Sequence, residues 1–248
     1  MKQEKSLTNT KRRRRRQVFN GKLKAVTFSY DDGVTQDRRL IEIFNKYGLK
    51  GTFNINSEFL GTENTLTYGS KSVAHNKVSR EEIKTLYDGH EVAVHTLTHP
   101  HLPALSEEEI IRQVEKDRQN LSELAGYEVI GMAYPGGGVN FDLRVADIIK
   151  NNTGVKYART TVHTFDFELQ KDLYVFNPTV HHNDTDRCMK LIDEFVALET
   201  ETPKLLYIWG HSYEFDFADN WDFAEEMCRR LSGKRDVFYG TNRECLGF

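Results

Sequence analysis

Two adjacent carboxylates, Asp31 and Asp32, stand at the end of an apolar run and directly before Gly33. His95-Thr96-Leu97-Thr98-His99 closes a second apolar run, and His211 follows a third, Leu205-Leu206-Tyr207-Ile208-Trp209-Gly210. A spacing of four can set two imidazoles on one side of a turn or short helix. With one carboxylate they make a hydrolytic metal site that keeps a position open for water. A histidine pair alone is weak evidence in a chain that also carries His90, His101, His181 and His182. The aspartate pair adds to it, because adjacent residues leaving a strand point in different directions. One can ligate a metal while the other accepts a proton from water on that metal. The competing reading is an Asp-Asp-Gly turn that only closes a strand. Phe28 and Tyr30 count against it, because these buried-type residues bring both carboxylates near a core.

Three strand ends that each present such side chains call for a fold that gathers strand ends. Ala25 to Tyr30 is β-branched and aromatic, as a buried strand requires. Asp37 to Tyr47 carries Leu40, Ile41, Phe44 and Tyr47 at helical spacing, with Gly48 at the C-cap. Thr52 to Ile55, Val92 to Val94, Val129 to Ala133 and Val155 to Arg159 read as the next strands. Ser79 with Glu82 and Ser106 with Glu109 read as capping boxes, the first of a short helix ending near Gly89, the second of a long helix closed by Gly126. Helices follow at Leu143 to Lys150, Asp186 to Leu198 and Trp221 to Leu231. Further strands follow at Leu205 to Trp209 and Val237 to Tyr239, with a short one at Tyr174-Val175-Phe176. This alternation predicts parallel strands in a βα-repeat fold. A closed or nearly closed barrel suits the length better than an open, flavodoxin-like sheet, although both place ligands at strand C-termini.

The chain has 248 residues, 38% of them hydrophobic and 29% charged, which suits one α/β domain. The net charge of −3 gives no global reason to expect nucleic acid. Basic character is concentrated in Lys11 to Arg16, and residues 1–20 read as a solvated leader ahead of a catalytic domain at 21–248. No apolar stretch approaches the ~18 residues of a transmembrane helix. The N-terminal charge is not followed by an apolar segment. Cys188, Cys228 and Cys245 are too widely spaced for a zinc pattern or a disulfide framework, so a reducing, cytoplasmic setting is expected.

The run Thr27-Phe28-Ser29-Tyr30-Asp31-Asp32-Gly33 resembles the first motif of the polysaccharide deacetylase family, the NodB-homology domain of carbohydrate esterase family 4. His95 to His99 resembles the second motif, Met132-Ala133-Tyr134-Pro135-Gly136-Gly137 a variant of the third, and Trp209-Gly210-His211 the last. Order and spacing agree over roughly residues 22–245. The resemblance implies a distorted (β/α)7 barrel in a single domain. It implies that Asp32, His95 and His99 ligate a divalent metal, zinc above cobalt, nickel or manganese. Asp31 is then the base acting on water held by that metal, and His211 the acid that protonates the leaving amine. The metal and a backbone N–H near Gly136 would stabilise the oxyanion. The substrate class would be an acetylated carbohydrate.

The chain departs from the family's third motif, where Ala133 replaces an arginine that orients the aspartate and Gly136 replaces an aromatic residue. Arg159, at the end of the fifth strand, is the candidate substitute for that charge. Asp166 and Glu214 compete for the place of the aspartate that tunes the catalytic histidine. Tyr134 and Trp209 are expected to line the site beside Pro135, while Tyr213 has core packing as an equal reading. Gly136-Gly137-Gly138 lacks the following Lys-Ser/Thr of a phosphate-cradling loop. These departures leave open a small amide substrate, hydrolysed by a cyclic amide or ureide hydrolase on the same scaffold. A silent carbohydrate-binding domain is a third reading, opposed by the complete set of base, acid and ligands.

Overall fold

The computed structural model describes residues 18–248; the Lys11 to Arg16 run and most of the basic leader lie outside the described residues. The chain passes through β1 (Lys24–Asp31), α1 (Asp37–Tyr47), β2 (Gly51–Ile55), a hairpin of β3 (Thr65–Tyr68) and β4 (Lys71–Ala74), the single turn α2 (Ile83–Leu86), β5 (Glu91–Val94), α3 (Glu107–Ala125), β6 (Gly131–Ala133), α4 (Leu143–Asn152), β7 (Tyr157–Arg159), β8 (Val180–His181), α5 (Thr185–Ala197), β9 (Lys204–Gly210), α6 (Tyr213–Ala218), α7 (Trp221–Leu231), β10 (Val237–Tyr239) and α8 (Asn242–Leu246).

Apart from the hairpin, every strand pairing is parallel, in the order β7-β6-β5-β2-β1-β9-β8, with β10 against the start of β1. Parallel pairing puts all the strand C-termini on one side, where βα loops build sites. β1 is buried along its whole length, because strands covered on both faces need apolar or internally satisfied side chains throughout. The curled sheet is a distorted (β/α)7 barrel. Its opening is spanned by residues 176–179: Phe176 bridges to Arg159, and the Thr179 N–H donates to the Tyr207 carbonyl at 2.8 Å.

Helices cover the outside of the sheet. α1 buries Leu40, Ile41 and Phe44, and the Phe44 ring lies 4.7 Å from that of Phe28. Each such side chain, fully buried, stabilises the fold by roughly 1.5–3 kcal/mol. Gly48 ends α1 in the left-handed conformation at φ 65°. Ser106 caps α3 by accepting the Glu109 N–H, the first half of the expected box, while the Glu109 carboxylate turns to Arg112 and Gln113 instead of back to Ser106.

Several features differ from the sequence reading. Tyr174 lies in a 3-10 turn at Leu173–Val175 rather than a strand, fixed when the Asp172 side chain accepts the Tyr174 N–H. At Ser79 only half of a capping box forms: the Glu82 carboxylate accepts the Ser79 N–H, and the helix shrinks to one turn. The complete box belongs to Thr241 and Glu244 at α8. The β3–β4 hairpin, β8 and α6 are additions. No helix among the described residues is long and apolar enough to cross a membrane.

Candidate active site

A cavity of about 660 Å³ opens at the C-terminal end of the barrel, lined at its base by Asp31, Asp32, His95, His99 and His211. Asp31 ends β1, His95 follows β5 and His211 follows β9, so three strand ends converge as the sequence suggests. Asp32 Oδ1 stands 3.9 Å from His95 Nε2 and 3.9 Å from His99 Nε2. One ligand atom from each of these three residues lies within 4.8 Å of the others. The donor set fits a borderline divalent ion. The tautomer fits as well: His95 Nδ1–H donates to the Ala133 carbonyl at 2.9 Å, leaving the Nε2 lone pair toward Asp32. Burial pushes the His95 pKa down to about 4 against the pull of Asp31 and Asp32, so the ring is neutral, as a ligand must be.

Local backbone geometry holds these residues in place. Asp32, Thr96 and His99 take φ values of 82°, 68° and 54°, a region that costs most non-glycine residues energy. The surroundings enforce it. Asn56 donates to the Thr96 carbonyl at 2.9 Å, Thr96 Oγ1 accepts the His99 N–H at 3.1 Å, and buried Asp117 accepts the N–H groups of Ser57 and His95.

Asp31 is ion-paired with Arg159, which is fully buried and lies with its guanidinium 4.2 Å from the Trp209 ring centroid. Burial acts to raise the Asp31 pKa, but Arg159, then His95 and His211, outweigh it and hold the carboxyl below its ordinary value. Asn54 donates to its other oxygen at 2.8 Å. Asp32 is held well below the ordinary range: burial opposes this, and the His75 contact, Lys77, His211 and His95 together overcome it.

His211 Nε2 lies 4.0 Å from Asp31 Oδ2, and its Nδ1 lies 3.3 Å from Glu214 Oε2. Burial works to lower the His211 pKa, yet Glu214 and the two aspartates raise it to about 9. Glu214 also accepts the His211 backbone N–H at 2.9 Å and lies 3.1 Å from His182 Nε2 and 3.5 Å from His181 Nε2. Gly210 makes room for this cluster, since a Cβ there would sit 2.4 Å from the His182 ring.

The remaining expectations divide. Trp209, Gly136 and Gly137 line the cavity, and so does Tyr213. Tyr134 does not: it is buried against Phe141 at 4.8 Å and donates its hydroxyl to the Tyr174 carbonyl, because the turn at 135–140 carries it inward. Pro135 is buried with it and is not among the lining residues. The Gly136 N–H donates to His99 Nε2 at 3.2 Å, the atom that faces Asp32, so a cation taking that lone pair would release this N–H. Asp166 is exposed and caps its own turn by accepting the Glu168 N–H.

Three residues escaped the sequence reading. His75 Nε2 lies 3.0 Å from Asp32 Oδ2, Lys77 Nζ donates to the Asp32 carbonyl at 2.8 Å, and His163 Nε2 accepts the Trp209 indole N–H at 3.0 Å. The signal for the first two was period-two alternation: Val73, His75 and Lys77 share one face of an extended segment.

The polysaccharide deacetylase family model matches residues 20–158, over half of the chain. The chain therefore belongs to the polysaccharide deacetylase family, hydrolases acting on the carbon–nitrogen bonds of acetylated polysaccharides. Among solved structures it is similar to a family 4 carbohydrate esterase from Streptomyces lividans in complex with acetate. That match has 14% identity and a TM-score of 0.54, and covers 91% of this chain and 95% of that one. A peptidoglycan deacetylase from Bacillus subtilis matches at 18% identity and a TM-score of 0.54, covering 90% of each chain. A family 4 pseudoenzyme from Bacillus anthracis matches at 20% identity and a TM-score of 0.52, covering 90% of this chain and 65% of that one. Likenesses this distant establish the fold, and the pseudoenzyme among them shows that the fold alone does not secure turnover. No curated protein sequence matches the chain.

Proposed function

We propose that this protein removes an acetyl group from the amine of an acetylated carbohydrate, with a divalent cation at Asp32, His95 and His99. One observation carries the reading: a carboxylate kept ionised by Arg159 and an imidazole kept protonated by Glu214 face the same cavity from opposite partners. Amide hydrolysis needs a base for the attacking water and an acid for the leaving nitrogen, and two groups with pKa values pushed apart supply both. Zinc, when bound by this donor set, supplies Lewis-acid polarisation of the acyl group. Asp31 accepts the proton of the attacking water. His211 donates a proton to the amine nitrogen as the C–N bond breaks, so acetate and free amine leave. Trp209 and Tyr213 line the cavity where a sugar would sit.

The test is acetate release from a panel of acetylated sugars, small amides and ureides, using metal-stripped protein with and without zinc. Asp31→Asn should bind zinc as tightly as the unaltered chain and lose about 10²–10⁴-fold in kcat/KM. Turnover of amides or ureides alone would move the substrate off carbohydrate. No turnover by zinc-loaded protein on any member would leave a binding role.

A further inference from the structure

Asp32 is held from the side opposite its two histidine neighbours. Its Oδ1 faces His95 and His99, while its Oδ2 faces His75 Nε2 at 3.0 Å. An ionised carboxylate oxygen only accepts, so Nε2 is the protonated ring nitrogen in this contact. His75 is 8% exposed, and its Nδ1 is buried with no partner among the described residues. The ring's one close polar contact is the one to Asp32; Lys77 Nζ stands 3.5 Å from the same Nε2, and the ring otherwise packs edge-on against Tyr213 at 5.0 Å. A buried imidazole with an orphaned nitrogen is costly to keep unless the remaining contact has a use.

The segment that carries His75 is stitched to the Asp32 turn. The Val78 N–H donates to the Gly33 carbonyl at 3.0 Å, the Thr35 N–H to the Asn76 carbonyl at 2.8 Å, and Lys77 Nζ to the Asp32 carbonyl. The segment emerges from the β3–β4 hairpin, which is itself braced. Val34, Val73 and Tyr213 form a small apolar cluster with Leu66 and Phe217, and the Tyr68 and Phe217 rings meet at 5.5 Å. His75 is thus delivered to Asp32 by an arm with its own packing, outside the barrel strands that carry the ligands.

We propose that His75 is the positioning residue of the cation site: its Nε2–H holds Asp32 Oδ2 and so turns Oδ1 toward His95 and His99. The inference rests on the cation site proposed above and adds a residue that does not itself ligate. Partners of this kind, one step behind a ligand, typically change metal affinity by about 10–100-fold.

The experiment measures zinc affinity by competition with a chromophoric chelator, and the d–d spectrum of the cobalt-substituted protein, for the full chain, His75→Phe and His75→Gln. Phenylalanine keeps the ring but has no donor, whereas the glutamine amide can still donate to Oδ2. His75→Phe should bind zinc ~10–100-fold more weakly and shift the cobalt spectrum, and His75→Gln should restore most of both. His75→Leu replaces the phenylalanine variant if thermal melts show that variant unfolded. Affinity and spectrum unchanged in the donorless variant would overturn the proposal, and so would equal losses in both variants, since only shape would then matter. An unaltered chain that binds no divalent cation would instead remove the cation site itself, and this inference with it.

Discussion

Asp31 and His211 bring opposite charges into one cavity, and each depends on a single main partner. With Arg159→Met, burial is left without its chief opponent and the Asp31 pKa rises. The group must be ionised to act as a base, so the acidic limb of kcat/KM moves to higher pH. Stability should fall by about 3–5 kcal/mol, because a buried charge loses its partner. With Glu214→Gln, His211 loses the strongest influence raising its pKa to about 9, and the burial that lowers it prevails. The acid must be protonated, so the alkaline limb moves to lower pH while the acidic limb stays in place. A pH–rate profile of each variant, at one fixed metal, checks both. A limb that stays put in its own variant would detach that group from the reaction. The aspartates and motif histidines were legible in the sequence because they end apolar runs. Arg159 was legible only as a charge at a strand end. His75 was marked only by its alternation with Val73 and Lys77 and by no recognisable motif, and its importance comes from a contact across 43 residues.

At the scale of elements, the strands and helices read from period and capping were the ones whose core faces dominate their composition. The hairpin was missed because three of the four β3 residues are exposed and the fourth is only partly buried, so no alternation marks that strand. α6 was missed because it is one and a half turns long and its order comes from tertiary packing, which short helices need. These two elements brace each other through Tyr68, Lys71 and Phe217. Phe217→Ala removes an aromatic pair of about 0.5–1.5 kcal/mol beyond its area burial. Hydrogen exchange of residues 65–74 should then speed up about two- to tenfold, with exchange in β1 and β9 unchanged. Acceleration spread evenly over the barrel would mean that the hairpin is not a separately braced unit.

Across the whole molecule, the proposed ligands join segments that the sheet keeps apart. Asp32 follows β1 and the two histidines follow β5, with β2 between these strands. A cation bound to all three would tie the loops together and offset the repulsion of two adjacent buried carboxylates, both of them ionised in the fold. Only the folded chain presents this set, so binding must stabilise the fold by mass action. Zinc at a hundred times its dissociation constant should contribute about 2.7 kcal/mol. For a domain of this size that is a rise in Tm of roughly 5–10 °C, reversed by a chelator. Asp32→Asn should abolish the rise, because the amide cannot replace the charge of the carboxylate. Identical melts of the unaltered chain with and without zinc would take the cation out of the proposed reaction. A rise that survives in Asp32→Asn would place the ion elsewhere, and His181, His211 and Glu214 are the described residues that also bring three ligand atoms within 4.8 Å. An ion there would occupy the acid, so that same outcome should appear in kinetics as inhibition by zinc, and the melt and the rate together decide which cluster holds it.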